Sequence, residues 1–205
     1  MIPVQYRIST TQEISLLSHV KTALAAGCQW IQLKTNGENG KVWHDTMTQI
    51  KELCRAQEAT FIIENDIELV KSIEGDGIHI TDDTSIIEVR QLLGEGFLIG
   101  ANTVSAEDII KKKQQSADYL CFGPYAKASA GSSSCPTHTL QDFSKTIAEI
   151  EEKEVTLPVC AYGEIATDDI RPLMETGIRG ISIALPEKGI DESLVTETLK
   201  KYLNL

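Results

Sequence analysis

The chain has little of what builds covalent, aromatic or basic surfaces. Aromatic residues make up 5% of its 205 residues and proline occurs 6 times against 14 glycines, which excludes fibrous and proline-rich disordered classes. The 5 cysteines, Cys28, Cys54, Cys121, Cys135 and Cys160, are odd in number, widely spaced and never in a Cys-x-x-Cys pair. That excludes a disulfide framework and a cysteine-based zinc site. Cys121 and Cys160 sit in apolar runs and are expected to be small buried hydrophobes. No stretch approaches the roughly 20 apolar residues of a membrane span. The opening MIPVQYRIST reaches polar residues at once, unlike a targeting signal, so a cytoplasmic protein is expected. Positive charge is scarce: 19 Lys+Arg face 30 Asp+Glu, a net charge of -11. Phosphate neutralisation needs clustered cations, and one basic run, Lys111-Lys112-Lys113, does not supply them. Nucleic acid and membrane surfaces are therefore not expected partners, and oligomeric state is unreadable.

What is present is an ordinary globular composition, 41% apolar and 24% charged, in a length that suits one domain over residues 1–205. Short apolar or β-branched runs alternate with amphipathic helical stretches. Val4–Ile8 precedes a helical pattern over Gln12–Ala26, and Trp30–Leu33 one over Val42–Gln57. Thr60–Ile63 is followed by Ile67–Ile73, Gly77–Ile80 by Ser85–Leu93, and Phe97–Gly100 by Ala106–Gln115. Tyr119–Phe122 leads into Leu140–Glu152, Pro158–Tyr162 into Asp168–Thr176, and Gly180–Ala184 into Glu192–Leu203. Ser105, Thr167 and Asp191 stand at predicted helix starts as caps, and Gly27, Gly94 and Gly177 just past helix ends. Eight consecutive strand–helix units with doubly apolar strands predict an α/β protein whose parallel sheet closes into a barrel, with an open doubly wound sheet as the alternative.

In such a barrel the chemistry lies where strands end. The polar residues there are Gln32 and Lys34, Asn65 and Asp66, His79 with Asp82 and Asp83, Asn102 and Thr103, Lys127 with Ser129 and Ser132 to Ser134, and Gly163 with Glu164. Carboxylates beside lysine and amide donors suit a phosphorylated substrate with a magnesium ion. Simpler readings stand beside these. Asp66 could be only the N-cap of the next helix, His79 a packed core histidine, Trp30 and Trp43 packing residues, and 123–139 either a lid or a slack loop. His19, His44 and His138 read as surface or loop residues.

Six strings in order, Ile31-Gln32-Leu33-Lys34, Glu64-Asn65-Asp66, Asp76-Gly77-Ile78-His79-Ile80, Ile99-Gly100, Ala117-Asp118-Tyr119-Leu120-Cys121-Phe122-Gly123-Pro124 and Pro158-Val159-Cys160-Ala161-Tyr162-Gly163-Glu164-Ile165, resemble the thiamine phosphate synthase/TenI family. The resemblance implies a compact (β/α)8 TIM barrel. It also implies a transferase that joins hydroxymethylpyrimidine diphosphate to thiazole phosphate with Mg²⁺. Carried over residue by residue, Gln32 would contact the pyrimidine, and Lys34, Asn65, Asn102 and Lys127 would bind substrate. Gly163 would face the thiazole phosphate, and Asp66 and Asp83 would hold the metal, with Asp82 as the alternative to Asp83.

The departures from the family pattern are specific. Lys34 replaces an arginine, Asn36 a lysine and Asn102 a serine, while Tyr125 to Gly131 replace the Thr-x-Thr-Lys string. Glu164 replaces the second glycine of a Gly-Gly-Ile turn, and Leu185 a serine. Two further readings follow: a TenI-like thiazole tautomerase, although Pro124 stands where that group carries a histidine, or a non-catalytic ligand- or partner-binding barrel.

Overall fold

A computed structural model describes residues 4–9, 15–35, 37–38, 40–126, 137–185 and 190–203. The elements alternate as β1 (Val4–Ser9), α1 (Leu16–Ala25), β2 (Trp30–Lys34), α2 (Lys41–Ala56), β3 (Thr60–Glu64), α3 (Ile67–Ser72), β4 (Gly77–Ile80) and α4 (Ile86–Leu93). They continue as β5 (Leu98–Thr103), α5 (Ala106–Gln114), β6 (Tyr119–Tyr125), α6 (Leu140–Glu152), β7 (Val159–Gly163), α7 (Thr167–Glu175), β8 (Gly180–Ala184) and α8 (Glu192–Leu203). Each strand pairs in parallel with the next, and β1 pairs with β8, so the sheet is closed. The expected (β/α)8 barrel is what forms.

Strand periodicity sorts the side chains into two layers. Residues facing away from the axis, among them Tyr6, Ile31, Leu33, Phe61, Ile63, Ile78, Ile99, Leu120 and Phe122, form one core with Val20, Met47, Val89, Ile109, Phe143, Leu173 and Leu199 of the helices. Each fully buried aliphatic side chain of this shell contributes roughly 1.5–3 kcal/mol. The alternate residues face the axis and are largely polar: Gln5, Gln32, Glu64, His79 and Ser182 are all buried. A small separate cluster of Tyr119, Cys121 and Cys160, with Trp30 against it, fills the lower interior. The Trp30 and Tyr119 rings meet edge to face at 5.1 Å, so Trp30 is a packing residue.

Two of the family-like strings serve the amino-terminal end of the barrel. Asp76 accepts a hydrogen bond from the Phe61 amide at 2.7 Å and pairs with Lys51. Asp118 repeats the device two units later, accepting from the Ile99 amide at 2.7 Å and from Arg90 at 2.6 Å. Each aspartate ties the strand it precedes to the start of the preceding strand.

Differences from expectation have local causes. Helix α1 starts at Leu16 because the Ser15 hydroxyl accepts from the Ser18 amide, and 10–14 lie outside the described residues. The N-cap of α7 is Ala166 rather than Thr167, its amide donating to Asp169 at 3.0 Å. β6 runs on to Tyr125, which pairs with Gly163 across a register shift. His19 is not a surface residue: it is buried under β1, and its Nε2 lies 2.7 Å from the Tyr6 hydroxyl. Among the described residues no helix is long and apolar enough to cross a membrane.

Candidate functional site

The carboxyl ends of β2 to β5 gather most of the residues singled out in the sequence. Gln32 and Lys34 close β2, Asn65 and Asp66 follow β3, His79 lies in β4 with Asp82 and Asp83 after it, and Asn102 lies in β5. Gly163 ends β7 on the other side of the barrel. Lys127, Ser129, Ser132 to Ser134 and Asn36 lie outside the described residues, as does most of the segment expected to be a lid or loop.

Gln32 faces the axis and donates from Nε2 to Glu64 Oε1 at 2.8 Å. Glu64 is held from the other side by Arg7, whose Nε donates to Oε1 and whose Nη2 donates to Oε2 at 2.8 Å. Burial pushes the Glu64 carboxyl up. The two-pronged guanidinium contact and the Gln32 amide outweigh it and hold the group below the ordinary carboxylate range. The sequence reading missed Arg7 and gave Glu64 no role. The signal was there in the strand period, since Arg7 is a charged residue inside an apolar strand and Glu64 falls on an inward position.

His79 is almost fully buried, and its ring nitrogens contact the Tyr119 hydroxyl at 3.0 Å and Asn102 Oδ1 at 2.9 Å. Burial lowers its pKa against the opposing pull of Asn102 and the Glu64 charge, which favours the neutral imidazole. The backbone carbonyl of Asn102 accepts from Lys112 Nζ at 2.5 Å. Burial and neighbouring thiols raise the Tyr119 hydroxyl well above its usual range. The Cys160 side chain and burial do the same for the Cys121 thiol, which donates to Gln5 at 3.2 Å. Cys121 is thus the inert hydrophobe expected of it.

The carboxylate side of the site is organised by Asn65. Its backbone is left-handed (φ 56), a conformation asparagine tolerates, and its amide is engaged twice by Thr81. Nδ2 donates to Thr81 Oγ1 at 2.6 Å, and Oδ1 accepts from the Thr81 amide at 2.8 Å. This clasp joins the loops after β3 and β4 and so fixes Asp66 relative to Asp82 and Asp83. Asp66 caps α3, accepting from the Leu69 amide at 2.9 Å. Asp82 accepts from the Thr84 amide at 2.9 Å, and Thr84 holds its carboxyl below the ordinary range. Asp83 is exposed on the same loop.

Among the described residues no group of three or more His, Cys, Asp or Glu could hold a metal by itself. A magnesium ion held by Asp66 and Asp83, on the two adjacent loops, would take most of its positions from water and substrate phosphate.

At β7 the chain needs glycine. Gly163 has φ 134, and a Cβ there would lie 2.3 Å from the Tyr125 amide nitrogen. The amides that follow are spent inside the chain: Glu164 donates to Tyr125 O, Ile165 to Gly163 O and Ala166 to Asp169. A cavity of about 390 Å³ opens beside them, lined by Gly163, Glu164, Ala184, Leu185 and Tyr202 among others. A larger one, about 1070 Å³, lies at the amino-terminal mouth around Gln5, Trp30, Tyr119 and Arg179, remote from the strand-end carboxylates.

Comparison with known proteins adds a consistent picture. A family model described as thiamine monophosphate synthase matches residues 5–185. A thiamine-phosphate synthase of Bacteroides fragilis is 35% identical over 185 residues, covering 90% of this chain and 91% of that protein. One from Bacteroides thetaiotaomicron is 32% identical over 185 residues, covering 90% and 88%. The solved thiamine phosphate pyrophosphorylase of Pyrococcus furiosus superposes with a TM-score of 0.82 at 21% identity, covering 99% of this chain and 94% of that one. At that identity the superposition speaks for the fold.

Proposed function

Because the chain belongs to the thiamine monophosphate synthase family, we propose that it joins hydroxymethylpyrimidine diphosphate to a thiazole phosphate, forming thiamine phosphate and releasing diphosphate. The observation that carries this reading is the family match over residues 5–185, with relatives of that name at about the same length. In the reaction the bond from the pyrimidine methylene to the diphosphate oxygen breaks, and its electron pair leaves with diphosphate. The thiazole nitrogen then supplies the pair for the new carbon–nitrogen bond. No proton needs to move in either step, so the protein acts through positioning and electrostatics.

In this reading Gln32 orients the pyrimidine from inside the barrel. Lys34, with Lys127 beyond the described residues, holds diphosphate oxygens as point charges, and Asn65 and Asn102 complete the substrate surface. The neutral His79 supports Asn102 without adding charge beside a carbon that becomes cationic. Asp66 and Asp83 would hold magnesium, which when bound neutralises charge on the departing diphosphate. Gly163 lets the chain turn beneath the thiazole phosphate, although the amides of residues 164–166 are already engaged. The partners are thus two small phosphorylated molecules, and the buried free thiols of Cys28, Cys54, Cys121 and Cys160 suit the reducing cytoplasm.

The test is incubation with both substrates, with and without Mg²⁺. Thiamine phosphate and diphosphate should appear in equal amounts in the presence of the metal. Absence of both products under conditions where a known synthase turns over rejects the proposal.

A further inference from the structure

The Gln32 side chain leaves one buried polar atom without a partner. Gln32 is 2% exposed and its Nε2 is committed to Glu64, while its Oε1 has no hydrogen-bond partner. An unmet buried acceptor costs roughly 1–3 kcal/mol, which a donor brought by a ligand would recover. The orientation of this amide is not arbitrary. An ionised carboxylate only accepts, so the NH₂ end must face Glu64 and the carbonyl must face away. Glu64 cannot swing aside, because Arg7 grips both of its oxygens. Asn102 has no such lock: its partner is an imidazole, which can donate or accept according to its tautomer.

The lock crosses three strands. Arg7 of β1 stands beside Gln32 of β2 in register, and Glu64 lies two residues beyond Ile62, the β3 partner of Gln32. All three side chains therefore occupy the upper, inward layer.

We propose that Arg7 and Glu64 are positioning residues that fix the Gln32 amide with its carbonyl toward the site, so that Gln32 selects a ligand with an N–H donor at that edge. The inference rests on the proposed function, in which the ligand is a heteroaromatic ring bearing an amino group. A ring with hydrogen in place of the amine leaves the Gln32 carbonyl unmet, and a ring with an acceptor there opposes two lone pairs.

The experiment is calorimetric titration of the intact protein with 4-amino-5-hydroxymethyl-2-methylpyrimidine and with its counterpart carrying hydrogen in place of the amine. The wild-type protein should bind the amino compound roughly ten-fold more tightly, the value of one hydrogen bond to a buried acceptor. Glu64→Gln frees the Gln32 amide to turn and should shrink that preference to within about two-fold. Arg7→Gln/Glu64→Gln removes both charges together, leaves no lone buried charge, and should behave the same way if the single variant unfolds. Retention of the wild-type preference in these variants overturns the proposal, as does an equal loss of affinity for both rings, which is what a merely structural pair would give. Failure of the wild-type protein to bind the amino compound also overturns it. Absence of turnover alongside an intact preference rejects the transferase reaction and leaves the lock standing.

Discussion

His79 of β4 and Tyr119 of β6 touch inside the barrel, 3.0 Å from Nδ1 to the hydroxyl, although β5 separates their strands. The residue between them in register is Gly100. A Cβ at Gly100 would lie 2.0 Å from the Tyr119 ring, so the glycine is the space through which the tyrosine reaches the histidine. Gly100→Ala should destabilise the protein by about 1–3 kcal/mol through overpacking. Tyr119→Ala should remove most of that extra cost in the double variant, because the two changes share one space. Urea unfolding of the four proteins tests this, and strictly additive losses would count against it.

The Tyr6–His19 contact carries a pH dependence. Burial pushes the His19 pKa down to about 4 from an ordinary 6.5, so the folded chain binds its proton less readily than the unfolded chain. The contribution is therefore complete above the unfolded value and drains away as pH falls toward the folded one, the loss reaching about 2 kcal/mol by pH 5. His19→Gln can still accept from the Tyr6 hydroxyl and does not titrate. The loss of unfolding free energy between pH 7 and pH 5 should be smaller in the variant than in the wild type by about that amount, and equal losses would remove His19 as the cause.

Asp66 caps α3, and a pair of substitutions separates that role from the proposed metal contact. Asparagine caps helices as well as aspartate does, whereas alanine costs about 1 kcal/mol. Asp66→Asn should keep the stability of the folded protein while raising the Mg²⁺ concentration needed for half-maximal product formation; Asp66→Ala should lose both. If Asp66→Asn leaves the metal requirement unchanged, Asp66 is a cap alone. Chelation with EDTA should abolish turnover of the wild type, with recovery on adding Mg²⁺.

In the proposed reaction Lys34 would supply the cation at the β2 end. Lys34→Met should weaken binding of the pyrimidine diphosphate by roughly ten- to hundred-fold, the range for a lost hydrogen bond to a charged group. Lys34→Arg should bind at least as well as lysine, because the planar fork meets two phosphate oxygens at once. Competition by inorganic diphosphate, measured by calorimetry, gives both comparisons, and a Lys34→Met protein with wild-type affinity would exclude the contact.

The barrel was legible because eight short apolar or β-branched runs alternate with helical stripes, with Ser, Thr or Asp at several helix starts. The strand-end candidates were legible for the same reason, since chain order alone tells which end of each strand is which. What could not be read were pairings between residues far apart in sequence. Arg7 and Glu64 are separated by 57 positions, and nothing local to either predicts that they clamp Gln32. His19 looked like a surface residue because its partner, the Tyr6 hydroxyl, comes from the strand beneath it. Asn65 could be placed at the site, yet its clasp on Thr81 depends on a left-handed backbone that only the folded loop reveals.

The separation of the apolar shell from the polar axis bears on how such a chain can diverge. Most residues that close the sheet point outward to the helices, so those on the axis can be exchanged with comparatively little loss of folding free energy. Arg7, Glu64 and Gln32 occupy that permissive interior as one hydrogen-bonded unit. A descendant could acquire a new ligand preference by replacing this unit as a set, whereas changing Arg7 or Glu64 alone would strand a charge inside the barrel.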